Sequence, residues 1–374
     1  MDLFKFVPGT GGPTVLVEGQ AINGFTSVMW TERYKEPGEF EIQSALSVGL
    51  RDFLPLGTLI SHADTLEVMI VENHEINETR DEDPTLTITG RTFDSILEQR
   101  IVGMNIARAS TTHLLTDYTL PAAHTWEHAN DLINQHIWGS TTPPLVAGDK
   151  LPNVVAQVDI SGVSGPVTAR TFDRGTVLER VHELLDVDEI GIKTARRNEF
   201  GVDGSPLTTT IYLYTGVDRS HLVHFSWQSG DLDSADYLFT NKDMKNSALV
   251  VSRYLTWVVD MGPVEYDRRM MIVDASDLDD NLDTVPTGTA LADIINKMGV
   301  RGQEVLKAQK QITITRADIS STTQYEYRKD FNVGDLVSVD GNFGQIAKMR
   351  VVEFVEIQDE NGESGHPTLA LPGE

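Results

Sequence analysis

The sequence predicts a β-rich α+β chain of several domains, with strand-rich ends and a mixed middle. Three observations carry that expectation. Residues 14–90 and the last third read as short β-prone runs separated by turn residues, the pattern of compact antiparallel sheets. Helical periodicity is confined to the middle and to one late segment. Two aromatic strand–turn–strand devices stand near opposite ends: Trp30-Thr-Glu-Arg-Tyr34 leading through Pro37-Gly38 into Glu39-Phe-Glu-Ile42, and Tyr325-Glu-Tyr-Arg-Lys-Asp330 leading through Gly334 into Asp335-Leu-Val-Ser-Val. Each joins aromatic, β-favouring residues to a tight polar turn and then to another strand. Their repetition predicts two related β-domains around an inserted middle, an architecture for assembly rather than for chemistry.

Element by element, Thr14-Val-Leu-Val-Glu18, Phe25–Trp30, Glu39–Ile42, Thr58–Ile60, residues 66–76 and Thr85-Leu-Thr-Ile-Thr89 read as strands. Residues 93–100 read as a short helix, and residues 125–138 have helical spacing, with Trp126, Leu132, Ile133 and Ile137 on the apolar side. A loop follows at 139–150. Thr176-Val-Leu-Glu179 spells a capping box, which starts a helix carrying Val177, Val181, Leu184 and Leu185 on one face. Residues 208–214 and 221–227 read as strands, the first reached through a hairpin loop at 196–206. Strands follow at 247–252, 255–260 and 268–274, then an acidic linker at 274–287. A helix is expected at about 289–308, its apolar set of Leu291, Ile294, Ile295, Met298, Val305 and Leu306 interrupted by Gly299 and Gly302, and strands at 311–315, 335–339 and 349–357. Gly38 and Gly334 are expected to take unusual backbone angles.

Composition narrows the function. The 374 residues are 40% hydrophobic and 23% charged, an ordinary globular balance, and no run approaches the roughly 18 to 20 apolar residues that span a bilayer. The N-terminus lacks the parts of a signal peptide, so synthesis in the cytoplasm is expected. The absence of cysteine excludes disulfides, thiolate catalysis and iron–sulfur ligation. A net charge of −26 argues against a surface that grips nucleic acid. It favours a dispersed protein, and it also suits a surface that DNA must pass without sticking.

The chemical motifs are thin. His124-Thr-Trp-Glu-His128 fits the reversed zincin pattern, in which two histidines a helical turn apart bind zinc beside a glutamate base. A catalytic zinc needs a third ligand, and His136 lies too far along the helix to supply it, so a surface helix is the plainer reading. Asp277-Leu-Asp279-Asp-Asn281-Leu282 resembles a calcium loop but has Leu282 and Gly288 where the pattern needs Gly and Glu, which leaves a solvated linker. Gly9-Thr-Gly-Gly-Pro13 lacks the lysine of a phosphate loop, and Ser164 sits in no nucleophile elbow. The pairs Glu72/Glu75 and Glu356/Asp359 read as solvated faces. Trp30, Trp227 and Trp257 sit in strands, where core packing is expected over carbohydrate binding. No catalytic, metal or cofactor residues are assigned.

Taken in order along residues 15–355, several pieces resemble the tail-hub (minor tail) proteins of long-tailed bacteriophages, especially the ReqiPepy-type siphovirus family. They are Trp30–Tyr34 with Pro37-Gly-Glu-Phe40-Glu, Gly57-Thr-Leu-Ile-Ser-His62, Gly90-Arg-Thr-Phe-Asp-Ser-Ile-Leu-Glu-Gln-Arg100, Lys245-Asn246, the run from Arg268 to Ala275, and Lys329-Asp330-Phe-Asn-Val-Gly-Asp335. The resemblance implies two tail-tube-like antiparallel β-barrel domains with inserted α/β domains. Residues 1–104 would form the first barrel and 105–239 the inserted region. Residues 240–374 would form the second barrel, with its own helical insertion around 289–308. It further implies a non-enzymatic homotrimer, a pseudo-sixfold ring at the tail tip in the virion, assembled in the host bacterial cytoplasm. Its implied partners are distal tail and tail-tube proteins, the tape measure protein, and tip or fibre proteins, with phage DNA passing through the bore. The rival expectation is a tail-associated zinc peptidase or cell-wall hydrolase using His124, Glu127 and His128. Because the sequence ends soon after the second barrel, wall-degrading activity is expected in another subunit.

Overall fold

The structure, a computed structural model, describes residues 1–9, 12–46, 48–78, 83–104, 118–137, 150–151, 153–160, 167–197, 208–240, 244–262, 265–279, 284–308, 312–319, 324–340 and 346–372. The N-terminal part comprises β1 (Leu3–Gly9), β2 (Gly12–Ala21), β3 (Ser27–Arg33), β4 (Glu39–Ala45), α1 (Val48–Phe53), β5 (Leu59–His62), β6 (Val68–Asn77) and β7 (Thr85–Thr92), then a 3-10 turn at Phe93–Gln99. The middle holds β8 (Tyr118–Ala123), α2 (Thr125–Ile137), β9 (Val154–Asp159), β10 (Thr168–Phe172), α3 (Val177–Asp188), β11 (Gly191–Arg197) and β12 (Thr208–Tyr214). The remainder is β13 (His224–Ser226), β14 (Leu232–Thr240), β15 (Ser247–Val251), β16 (Thr256–Asp260), β17 (Met270–Asp274), α4 (Gly288–Ala308), β18 (Ile312–Ile319), β19 (Leu336–Asp340), β20 (Ile346–Asp359) and β21 (Gly362–Ala370).

The β-rich α+β class holds, but the two strand-rich ends are not separate sheets. A single 13-stranded sheet runs β14-β18-β21-β20-β3-β4-β7-β6-β5-β1-β2, with β19 also on β20 and β13 parallel beside β19. The link is β20, whose 14 residues are long enough to serve two neighbours in turn. Its residues Ile346–Arg350 pair with β19, and Glu353–Gln358 pair with β3 on the same edge. Among the described residues the sheet stays open, ending at β2 and β14.

Four cores follow from the residue patterns. In β7 every second residue is buried, so Leu86 and Ile88 join Val28, Trp30, Phe40 and Ile42 beneath the N-terminal strands. In the middle, Leu132, Ile133 and Ile137 of α2 meet Val181, Leu184 and Leu185 of α3. The capping box is formed as read: Thr176 Oγ1 accepts from the Glu179 amide, and Glu179 accepts from the Thr176 amide. Phe225, Phe331, Val337, Met349 and Phe354 build the third core. A separate unit packs the sheet β16-β15-β17 on α4, with Val250, Val259 and Val273 against Ile294, Met298 and Leu306. Its outer face leaves Val258, Met270 and Ile272 exposed.

Several expectations change. The strand read at 221–227 is reduced to β13, because the amides of Leu222 and Val223 both turn back to the Arg219 carbonyl. The helix expected at about 289–308 is present as α4, and Gly302 lets it lie on the strands: a Cβ there would come 2.7 Å from Val259 Cγ2. Gly334 has the expected positive φ of 96°, whereas Gly38 owes its place to close approach, a Cβ falling 2.2 Å from the Thr31 carbonyl oxygen. Trp30 is buried as expected, but Trp257 is 43% exposed at an edge strand over Gly299. The loop at 139–149, most of the hairpin loop at 196–206, the centre of the Gly9–Pro13 turn, Ser164 and residues 280–283 of the acidic linker lie outside the described residues.

Candidate functional site

The two strand–turn–strand devices, far apart in sequence, meet where β20 passes from one neighbour to the other. The Gly334 amide donates to the Val351 carbonyl and the Tyr34 amide to the Val352 carbonyl, at 2.7 and 2.9 Å. Tyr34 is buried and stands edge-on to Tyr214, ring centroids 5.3 Å apart. Its hydroxyl donates to the Glu189 carbonyl at 2.7 Å, and the Ile192 amide donates to its own carbonyl at 2.9 Å, so the start of β11 is tied to the end of β3. Positive φ at Gly334 lets the turn pass between these rings, where a Cβ would lie 2.8 Å from Tyr34 Cε2 and 2.9 Å from Tyr214 Cε2. Arg350 completes the knot by donating to the Gly334 carbonyl at 2.7 Å.

Beside it lies an ionic cluster. Arg33 Nε donates to Glu353, its Nη2 to Glu39 and its Nη1 to the Pro37 carbonyl, holding the Pro37-Gly38 turn against β20. Arg328 bridges Glu32 and Glu356, each at 2.7 Å, and Tyr327 donates its hydroxyl to Glu32. The Tyr327 ring stacks on Phe354 at 3.7 Å. Asp335 is buried, accepting from the Val217 amide, Arg219 Nε and the Asn332 amide. Burial opposes the charge on Arg328, but Glu32 and Glu356 outweigh it and raise its pKa.

These groups border a cavity of about 270 Å³, lined by Glu32, Glu67, Lys193, Tyr214, Tyr327 and Arg328. It lies where the N-terminal strands, β11 and the 325–335 loop come together. Two more carboxyls are buried nearby: burial lifts Asp94 to about 6, and burial, then Glu32 and Asp94, lift Glu67 well above the usual carboxylate range. Sequence reading passed over Glu32, Glu67 and Asp94. The available signal was a carboxylate inside an apolar run, as in Leu66-Glu-Val-Met-Ile and Arg91-Thr-Phe-Asp-Ser-Ile-Leu. The pairs read as solvated faces also contribute to ion pairing, Glu72 with Arg91 and Glu356 with Arg328.

The zincin-like residues are used by the fold. Glu127 turns back to accept from the His124 amide at 2.8 Å, at the start of α2. The His124 ring stacks on Trp126. His128 points inward instead, fully buried, with Nε2 2.8 Å from the Thr168 carbonyl. Burial holds it below the usual histidine pKa. The helix is therefore half-buried rather than a surface helix. His136 is buried as well and accepts from the Gly103 amide. Among the described residues no three His, Asp or Glu side chains converge as a metal site. In the acidic linker, Asp277 pairs with Arg301, and Asp279 is buried, accepting from Ser252 Oγ and the amides of Arg253 and Tyr254. Burial raises its carboxyl, but those hydrogen bonds outweigh the rise and hold it below the usual range.

The knot ties the two strand-rich ends to the middle of the chain. The family model described as Siphovirus ReqiPepy6 Gp37-like protein matches residues 14–369. The chain belongs to that family of siphovirus tail proteins. No curated protein sequence matches it. Among solved structures it is similar to the 43 kDa tail protein of prophage MuSo2 from Shewanella oneidensis, with 12% identity, a TM-score of 0.56, and 99% of this chain and 98% of that one covered. It is also similar to a tail protein from Neisseria meningitidis MC58 (13% identity, TM-score 0.54, coverage 96% and 95%). A third is prophage tail protein gp18 from Listeria monocytogenes EGD-e (11%, 0.52, 99% and 94%). At these identities the likeness is one of fold. As a member of this family the chain is a structural component of the phage tail, located in the virion. Among the described residues no helix is long and apolar enough to cross a membrane.

Proposed function

We propose that the chain is the hub of the tail tip, three copies closing a pseudo-sixfold ring that joins the tail tube to the tip. Residues 1–104 and 240–374 supply the two tube-like units of each copy, and residues 105–239 the insert between them. β13 and β14 precede the second unit and add strands to it. The observation that carries this reading is the shared sheet: β20 joins strands of both units in one frame, and among the described residues β2 and β14 end the main strand path, with β13 ending the branch at β19. Free edges invite pairing with another chain, and a ring removes them by closure. The partners are distal tail and tube proteins and the tape measure protein on one side, and tip or fibre proteins on the other. DNA passes through the bore, and a net charge of −26 suits a wall that does not retain it.

Native mass spectrometry and electron microscopy of the purified chain, alone and mixed with its tube protein, test the ring. A trimer with six tube-like lobes is expected. A chain that stays monomeric under both conditions would overturn the hub. Tight binding of duplex DNA at low salt would overturn the non-retaining bore.

A further inference from the structure

Among the described residues of the joint, Glu67 carries a buried carboxyl oxygen with no hydrogen-bond partner. Glu67 precedes β6, with its backbone fixed on both sides: its amide donates to Thr65 Oγ1 at 3.2 Å, and its carbonyl accepts from Ser61 Oγ at 2.5 Å. The residue is only 8% exposed, and its Oε2 has no hydrogen-bond partner. The neighbouring cations are engaged elsewhere. Arg328 bridges Glu32 and Glu356, Arg33 bridges Glu39 and Glu353, and Arg196 of β11 pairs with Glu18. Lys193, also on β11, sits over the Tyr214 ring at 4.2 Å.

The other groups around Glu67 favour a proton on it. Glu32 on β3 is a neighbouring carboxyl that accepts from Arg328 and Tyr327, and Asp94 in the 3-10 turn is a second buried carboxyl. Asp64 lines the same cavity. His62 at the end of β5 is buried, which keeps it below the usual histidine pKa. The Tyr214 and Tyr327 hydroxyls donate away from Glu67, to the Val333 carbonyl and to Glu32. Arg328 and Lys193 line the same cavity and oppose that proton, but burial outweighs them, and a carboxyl whose Oε2 is buried without a hydrogen-bond partner is more stable protonated.

We propose that Glu67 is a proton-held clasp: with its proton, it lets β11 seat against the turn before β6, and losing that proton loosens it. The seat is specific. The Arg196 amide donates to the Leu66 carbonyl at 2.7 Å, Thr194 Oγ1 to the Val68 carbonyl at 3.2 Å, and Arg196 Nη2 to the Thr65 carbonyl at 3.3 Å. Opening these bonds lets water reach Glu67, whose O–H bond breaks and releases a proton to solvent.

The sign follows from linkage. The closed joint raises the pKa of Glu67, so its stabilising effect is complete below the ordinary carboxylate value of about 4.3 and is lost as pH rises toward the raised value. Within that window the opening equilibrium grows about tenfold per pH unit.

Hydrogen exchange at the Arg196 amide reads this directly once the intrinsic exchange rate is divided out. In the wild type the protection factor should fall about tenfold per pH unit as pH rises above the ordinary carboxylate value. In Glu67→Gln, which keeps shape and neutrality, it should stay flat. Equal slopes in the two proteins, or a flat wild type, would overturn the clasp. A second measurement does not depend on that variant folding: in an Asp94→Asn background, infrared spectroscopy should find a protonated carboxyl persisting above the pH at which carboxyls ordinarily ionise. Its absence would equally overturn the proposal.

Discussion

At Arg328 the backbone and the side chain are both committed to one task. Its φ of 66° is left-handed, which a non-glycine residue adopts at a cost and keeps only when the surroundings require it. Here the requirement is a guanidinium that must reach Glu32 on β3 and Glu356 on β20 at once, with only 19% of the side chain exposed. Removing it leaves Glu32 nearly buried with only the Tyr327 hydroxyl to accept from. We expect Arg328→Ala to lower unfolding stability by about 3–5 kcal/mol, the range found when one partner of a buried pair is deleted. Arg328→Lys should recover only part of that loss, because an ammonium lacks the planar fork that holds two carboxylates. Urea unfolding checks both. A loss below about 1 kcal/mol for the alanine variant would mean that the bridge behaves like a surface pair.

The elements differ in how readily the sequence discloses them. β7 was legible because Thr-Leu-Thr-Ile-Thr alternates cleanly, and the start of α3 because its capping box is local chemistry. β21 was missed because Gly362, Gly365 and Pro367 read as turn residues, yet the strand is held by nine paired positions along β20. β9 was missed because it is half-buried without alternation and pairs in parallel with β12, a partner distant in sequence. The joint was half legible: both aromatic devices stand out, but nothing local says that they touch each other. The unit formed by β15, β16, β17 and α4 has its own core and connects to the main sheet through short segments, so it should open separately. Gly302→Val tests this, since its Cβ would lie 2.7 Å from Val259 Cγ2 and 2.8 Å from Val250 Cγ2. Overpacking of this kind typically costs about 1–3 kcal/mol. Hydrogen exchange should accelerate in residues 247–274 and 288–308 while β3 and β20 keep their protection. Equal acceleration in β3 and β20 would show that the unit is cooperative with the sheet.

For the whole molecule, charge sets the terms on which copies meet. The chain carries −26, so three copies brought together as a hub repel one another before any contact forms. Arg33, Arg219 and Arg328 are already engaged within the chain, by Glu353, Asp335 and Glu32. In the proposed ring the attraction between copies comes from edge pairing at β2 and β14 and from apolar contact, neither of which salt screens. Added salt shortens the Debye length from about 10 Å at 0.1 M to about 3 Å at 1 M and so removes most of the repulsion. The proposed trimer should therefore assemble more tightly as sodium chloride rises over that range, the reverse of a complex held by ion pairs. Sedimentation velocity across a salt series decides it. A trimer that dissociates on adding salt would place charge attraction, not strand edges, at the interface, and would move the contact away from the ends of the sheet.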